Sequence, residues 1–163
     1  MENTGVVLDD TDIAILIELH NDGRMLNSVL AARLGLAASS CLRRVRRLEQ
    51  QRLLVRYCAQ LDLSKITDTL LVFSKITLSD HRSIDYLRFE KGMQQIDEAM
   101  ECHLVSAGFD YLVRFQVKDI SHYQQVMDHL IDQDLGIACN RSHIVMRSAV
   151  ARTHQPLQLL VQR

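Results

Sequence analysis

The chain has 163 residues, of which 47% are hydrophobic and 24% charged, and its formal net charge is −1. This is the balance of a globular chain forming one domain or two small ones, and it argues against indiscriminate coating of nucleic acid or acidic membranes. Aromatic residues make up 5% and Trp is absent, so nothing points to an aromatic platform for stacking bases or sugars.

The distribution of charge says more than its sum. From Arg33 to Arg56 there are seven Arg against the single acid Glu49, a local charge of +6, while residues 61–163 carry −2. A basic patch on a near-neutral chain is the footprint of a site-specific DNA binder. The four cysteines, Cys41, Cys58, Cys102 and Cys139, form no CxxC pair, so neither a metal site nor a disulfide framework is expected. No cofactor is expected either. With no signal pattern and no apolar run approaching the ~18 residues of a membrane span, the expectation is a reduced, cytoplasmic protein.

In chain order, Leu8-Asp9-Asp10-Thr11-Asp12 starts a helix, since acids suit the positive end of the helix dipole and Asp9 or Thr11 can cap free N–H groups. Ile13, Leu16, Ile17 and His20 share one face, and Asn21-Asp22-Gly23 stops the helix. A short helix over 27–34 follows, broken by Gly35. A third helix over 38–51 has Cys41, Leu42, Val45 and Leu48 on its apolar side. Arg43, Arg46 and Arg47 project from the opposite side, with Arg44 at the boundary. Helix, Gly-containing turn and second helix make a helix-turn-helix, whose second helix enters the major groove. A solvated helix face is the competing reading of any charge run, and the preceding helix and turn weigh against it.

Residues 54–61 are β-prone and read as a hinge strand leading into a polar linker. Strands are then predicted over 69–78, 102–106, 111–117 and 142–150, with helices over 84–100 and 120–132 and a fifth, added strand over 157–161. The order βαββαβ is the ferredoxin-like plan, with two helices covering one face of an antiparallel sheet. The uncovered face invites dimerisation. The fold class is therefore α+β, an N-terminal all-α helix-turn-helix domain followed by a ferredoxin-like βαββαβ sandwich domain. The boundaries are 1–53 for the first domain, 54–68 for the hinge strand and linker, and 69–163 for the second.

The segments LDDTDIAILIELHNDGR, LAARLGL, SSCLRRVRRLEQQRLL and ECHLVSAGFDYLVRFQVKDISHY resemble the Lrp/AsnC (feast/famine) transcription regulators over residues 8–162. The resemblance implies a DNA-binding regulator with Ser39, Ser40, Arg43, Arg44 and Arg47 on or near the DNA side. It implies double-stranded DNA as partner, assembly into homodimers and then tetramers or octamers, and an amino-acid effector between dimers. The effector residues it implies are Ala107, Gly108, Phe109, Asp110, Asp134 and Leu135.

Departures from the family pattern bear on both sites. Ala37-Ala38 stands where the family has Ser-Pro, removing a helix cap. Ala107-Gly108 shifts the loop glycine by one, Asp134 brings a charge to the effector region, and Arg147 replaces a common Glu. Asp134 and Arg147 either pair or read a polar ligand, so the effector is open, including one other than leucine or none. Asp110 is either an acceptor for the effector's ammonium or a turn aspartate bonded to its own backbone.

Enzymatic readings have little support. The seven histidines show no i, i+4 metal pairing, and GxGxxG, P-loop and GxSxG patterns are absent. Two alternatives stay open: a tetrapyrrole (siroheme) decarboxylase, which resembles this family in both domains, and an amino-acid sensor that does not bind DNA.

Overall fold

The computed structural model describes residues 7–106, 108–152 and 155–161. Contacts divide the chain into two compact units, one of residues 1–60 with 150–163 and one of residues 61–149. The C-terminal residues thus group with the first unit, whereas the sequence reading placed them with the second.

The first unit is helical: α1 (Asp10–Asn21), α2 (Asn27–Arg33) and α3 (Ala38–Gln50). A reciprocal capping box starts α1, with the Asp9 carboxylate accepting from the Asp12 N–H and the Asp12 carboxylate from the Asp9 N–H. The buried row of α1 is Asp12, Ile15 and Leu19, not the Ile13–Ile17 face expected from hydropathy. The helix is rotated so that a carboxylate joins the interior. Ile15, Leu19, Leu30, Ala31, Cys41 and Leu48 form the core, and burial pushes the Cys41 thiol above its ordinary pKa.

Gly35, at φ +64, carries the turn between α2 and α3 in the left-handed region. A Cβ there would meet nothing within 4 Å, so Gly35→Ala should cost only the backbone strain, about 1–2 kcal/mol. Urea unfolding checks this, and a neutral result would show that the turn relaxes.

Two sequence expectations fail in the flanking segments. Residues 54–61 form no strand: a strand needs another alongside it, and among the described residues none of the four strands pairs with this segment. Residues 157–161 form a short helix, α6 (Leu157–Val161), instead of a fifth strand. Pro156 pre-sets the first turn, and Leu159 and Leu160 donate to its carbonyl at 2.9 and 3.2 Å.

The second unit is β1 (Leu70–Leu78), α4 (Ser83–Met93), β2 (Ala99–Leu104), β3 (Tyr111–Val117), α5 (Ile120–Asp132) and β4 (Ile137–Ile144). All pairings are antiparallel in the order β2-β3-β1-β4, the ferredoxin-like topology expected from the sequence. Alternation in β1 and β3 sends Val72, Ile76, Val113 and Phe115 beneath Phe89, Met93, Tyr123, Val126 and Leu130 of the two helices.

Three boundaries move, one of them β2, which runs over Ala99–Leu104 and not 102–106. The first helix of this unit stops at Met93, not at 100, and a turn carries the chain into β2. Ile96 still reaches the core from that turn, which prolonged the apolar spacing. The last strand begins at Ile137 and ends at Ile144, earlier than the expected 142–150, because its register is set by β1 from Leu78↔Ile137 to Val72↔Ile144. No helix among the described residues is long and apolar enough to cross a membrane.

Candidate nucleic-acid interface and ligand site

Helix α3 begins without a side-chain cap, as the Ala37-Ala38 sequence implies. Asn27 at the start of α2 instead donates to the Ala38 carbonyl at 2.9 Å and ties the two helix starts together. Cys41 and Leu48 are fully buried and seat the helix. Its polar residues then separate into two rows one helical step apart.

The row Ser40, Arg44 and Arg47 turns toward α1. Arg44 Nη1 binds Asp9 at 2.7 Å and Asp12 at 2.8 Å, and Arg47 Nη2 binds the other oxygen of Asp12. Asp12 is 1% exposed, so its charge is held in the interior by two guanidiniums. The hydrogen bond from Arg44 is the main cause that holds the Asp9 carboxyl below the usual carboxylate range. The Arg44 side chain is 26% exposed. Its guanidinium is engaged by the carboxylates of the adjacent helix. Arg47 shares Asp12 but stays half-exposed.

The second row is Ser39, Arg43, Arg46 and Gln50, at i, i+4, i+7 and i+11, and all four are exposed. Among the described residues neither Arg43 nor Arg46 makes an ion pair. Sequence reasoning saw Arg46 on the polar side but did not count it as a site residue. It missed the role of Asp12 entirely, although a buried acid at the first turn of α1, beside a helix rich in Arg, was the available signal.

In the second unit the structure separates the expected effector residues. Ala107 lies outside the described residues. Gly108 and Phe109 border a shallow concavity of about 370 Å³, which is also lined by Lys75, Thr77, Cys139, Arg141 and His143. Asp110 is committed to the fold. Its carboxylate accepts from the Leu78 N–H at 2.7 Å and meets His81 Nε2 at 3.1 Å, while its own N–H donates to the Ile76 carbonyl.

Asp134 and Leu135 occupy the turn after α5, apart from that concavity. Leu135 is 6% exposed and fills the notch over Gly92, where a Cβ would come within 2.6 Å of it. Most of its surface is spent on the core. Asp134 is exposed at φ +48, and neither it nor Arg147 makes an ion pair among the described residues.

Comparison with known proteins converges on one family. Residues 8–49 match the AsnC-type helix-turn-helix domain, and residues 71–155 match the Lrp/AsnC ligand binding domain. The chain belongs to the Lrp/AsnC family. This regulator is 39% identical over 142 residues to leucine-responsive regulatory proteins of Klebsiella pneumoniae and Escherichia coli strain K12, with 87% of each chain covered. Its fold is similar to an AsnC family transcriptional regulator from Agrobacterium tumefaciens, with a TM-score of 0.86, 28% identity and coverage of 94% of this chain and all of the other. It is also similar to a Neisseria meningitidis transcriptional regulator in complex with L-Met, with a TM-score of 0.85, 28% identity and coverage of 95% of this chain and all of the other. The Lrp/AsnC protein described here is thus a DNA-binding transcription regulator with a ligand-binding domain, and not an enzyme.

Proposed function

We propose that this regulator reads double-stranded DNA in the cytoplasm with the exposed row of α3 and adjusts its activity to an amino acid held by the second unit. The observation that carries the DNA reading is the division of the arginines. Arg44 and Arg47 dock α3 against Asp12, and among the described residues Arg43 and Arg46 make no ion pair on the neighbouring row. Arg43 and Arg46 supply phosphate contacts, while Ser39 and the half-buried Ser40 stand at the N-terminal end of α3, where base edges are met. Arg47, half-exposed, adds charge at the rim. The protein acts as a homodimer or a higher homo-oligomer, with residues 1–53 as the DNA-binding domain and 69–149 as the core of the effector domain.

The test is a titration of a promoter fragment at graded salt with wild-type protein and Arg43→Ala/Arg46→Ala. Each lost phosphate contact removes about 0.9 from the slope of log affinity against log salt, so the double variant should lose about 2. An unchanged slope rejects the assignment. The amino-acid reading is supported by the L-Met complex of the Neisseria regulator. Calorimetric titration with the twenty amino acids tests it, and absence of binding by all of them overturns it.

A further inference from the structure

Helices α2 and α3 end in the same way but on different residues. After α2, the Leu36 N–H donates to the Ala31 carbonyl at 2.8 Å and the Gly35 N–H to that of Ala32 at 3.3 Å, with Gly35 at φ +64. After α3, the Leu53 N–H donates to the Leu48 carbonyl at 3.0 Å and the Arg52 N–H to that of Glu49 at 2.9 Å, with Arg52 at φ +55. Both are Schellman closures, in which the residue just past the helix takes a left-handed backbone and is ordinarily glycine. At the end of α3 that place is held by an arginine, whose Cβ is disfavoured in this conformation.

Local chemistry does not account for the arginine. A cation at a helix C-terminus gains from the dipole, yet Arg47 already stands in the last turn of α3, and the gain is smaller than the cost of the left-handed backbone. Arg52 is exposed, and among the described residues it makes no ion pair and no side-chain hydrogen bond. Glu49, the single acid between Arg33 and Arg56, accepts instead from the Tyr57 hydroxyl at 2.9 Å. Burial first, and then that carboxylate, pushes the Tyr57 phenol up to about 12, so it stays a donor. Arg52 therefore offers solvent an uncompensated charge from a position where glycine would be less strained.

We infer that Arg52 is a DNA phosphate contact beyond the C-terminal end of α3, and that its left-handed backbone is tolerated for the charge it places there. At about 1.5 Å per residue, the exposed row from Ser39 to Gln50 spans about 16 Å, more than the ~12 Å width of the major groove. A helix that sets Ser39 among base edges thus carries its other end past the groove, to the sugar–phosphate rim. Arg52 follows Gln50 by two residues, and a guanidinium there forks onto phosphate oxygens. This contact presupposes that α3 faces DNA as proposed above, and it adds to that interface a residue outside the helix.

The experiment titrates the same promoter fragment at graded salt with the full chain as wild-type, Arg52→Gly, Arg52→Lys and Arg43→Ala/Arg46→Ala. Glycine removes the charge and the strain together, so Arg52→Gly should melt roughly 2–5 °C above wild-type while binding DNA more weakly. Its slope of log affinity against log salt should fall by about 0.9 for each bound subunit, or about eight-fold in affinity between about 0.1 M and 1 M salt. Arg52→Lys keeps the charge and the strained backbone, so its slope and its Tm should both stay at the wild-type values. An unchanged slope in Arg52→Gly overturns the contact, and so does an equal loss of slope in Arg52→Lys. A Tm of Arg52→Gly at or below wild-type shows no strain at this position and overturns the inference as well. Loss of slope in Arg43→Ala/Arg46→Ala without loss in Arg52→Gly removes the Arg52 contact alone. Loss in Arg52→Gly without loss in the double variant keeps Arg52 on a phosphate and removes the proposed row instead.

Discussion

Asp12→Ala is expected to unseat the recognition helix and abolish tight DNA binding, although Asp12 lies on a different helix from every proposed DNA contact. The Asp12 carboxylate receives Arg44 and Arg47 and also the Asp9 N–H at the start of α1. Its removal takes from Arg47 its ion-pair partner among the described residues, leaves Arg44 with Asp9 alone, and opens half of the capping box. Breaking a buried ion pair from one side costs about 3–5 kcal/mol, and because both guanidiniums reach solvent the expectation here is about 2–3 kcal/mol. In a small helical unit that is a large share of the total stability. Urea unfolding of the full chain gives the stability, and fluorescence anisotropy with a labelled promoter fragment gives the affinity. Asp12→Asn keeps an acceptor for the cap but not the charge, so it should fall between the two proteins. Wild-type melting and affinity in Asp12→Ala would show that Arg44 and Arg47 do not hold α3.

Phe89→Ala is expected to be the most damaging single truncation in the ligand-binding unit. Phe89 is fully buried on α4, with its ring centre 4.5 Å from that of Tyr111 at the start of β3. A Phe→Ala change in such a core costs about 3–5 kcal/mol through lost burial and the cavity left behind. Tyr111→Phe is the control. It removes only the hydroxyl that donates to Glu90 at 2.9 Å, with an expected cost of about 0.5–1.5 kcal/mol. That hydroxyl's pKa is driven upward first by burial and then by the adjacent Glu90 carboxylate. Circular dichroism during urea unfolding reads both variants. A loss below about 1 kcal/mol for Phe89→Ala would mean that α4 is not locked to β3 through this ring. Because Tyr111 directly follows the segment that carries Gly108 and Phe109, the same variant should also weaken ligand binding by the second unit.

Helices α1 to α5, the βαββαβ order and the family were legible in the residues because each rests on a periodicity or a contiguous motif. The rotation of α1 was not. Hydropathy sends Asp12 outward, and only the arrival of Arg44 and Arg47 from 32 and 35 residues away makes its burial tolerable. Periodicity also carried the α4 reading past Met93, since Ile96 points inward from a turn as it would from a helix.

The candidate sites divide in the same way. That α3 carries a stripe of arginines is a property of its sequence, and so is the drift of the effector loop. Which arginines are spent on holding the helix and which remain for phosphates was decided by where α1 docks. That Leu135 sits over Gly92, and that the Asp110 carboxylate meets Leu78 and His81, likewise follow from the fold and not from local pattern. Lys75 and Arg141 are 66 positions apart and share no motif. Their meeting is a consequence of strand register alone, since one residue of slip would turn Arg141 to the opposite face. Local pattern therefore determined most of the elements and the family, whereas the pairing of distant charges, on which the docked helix depends, required the chain to be folded.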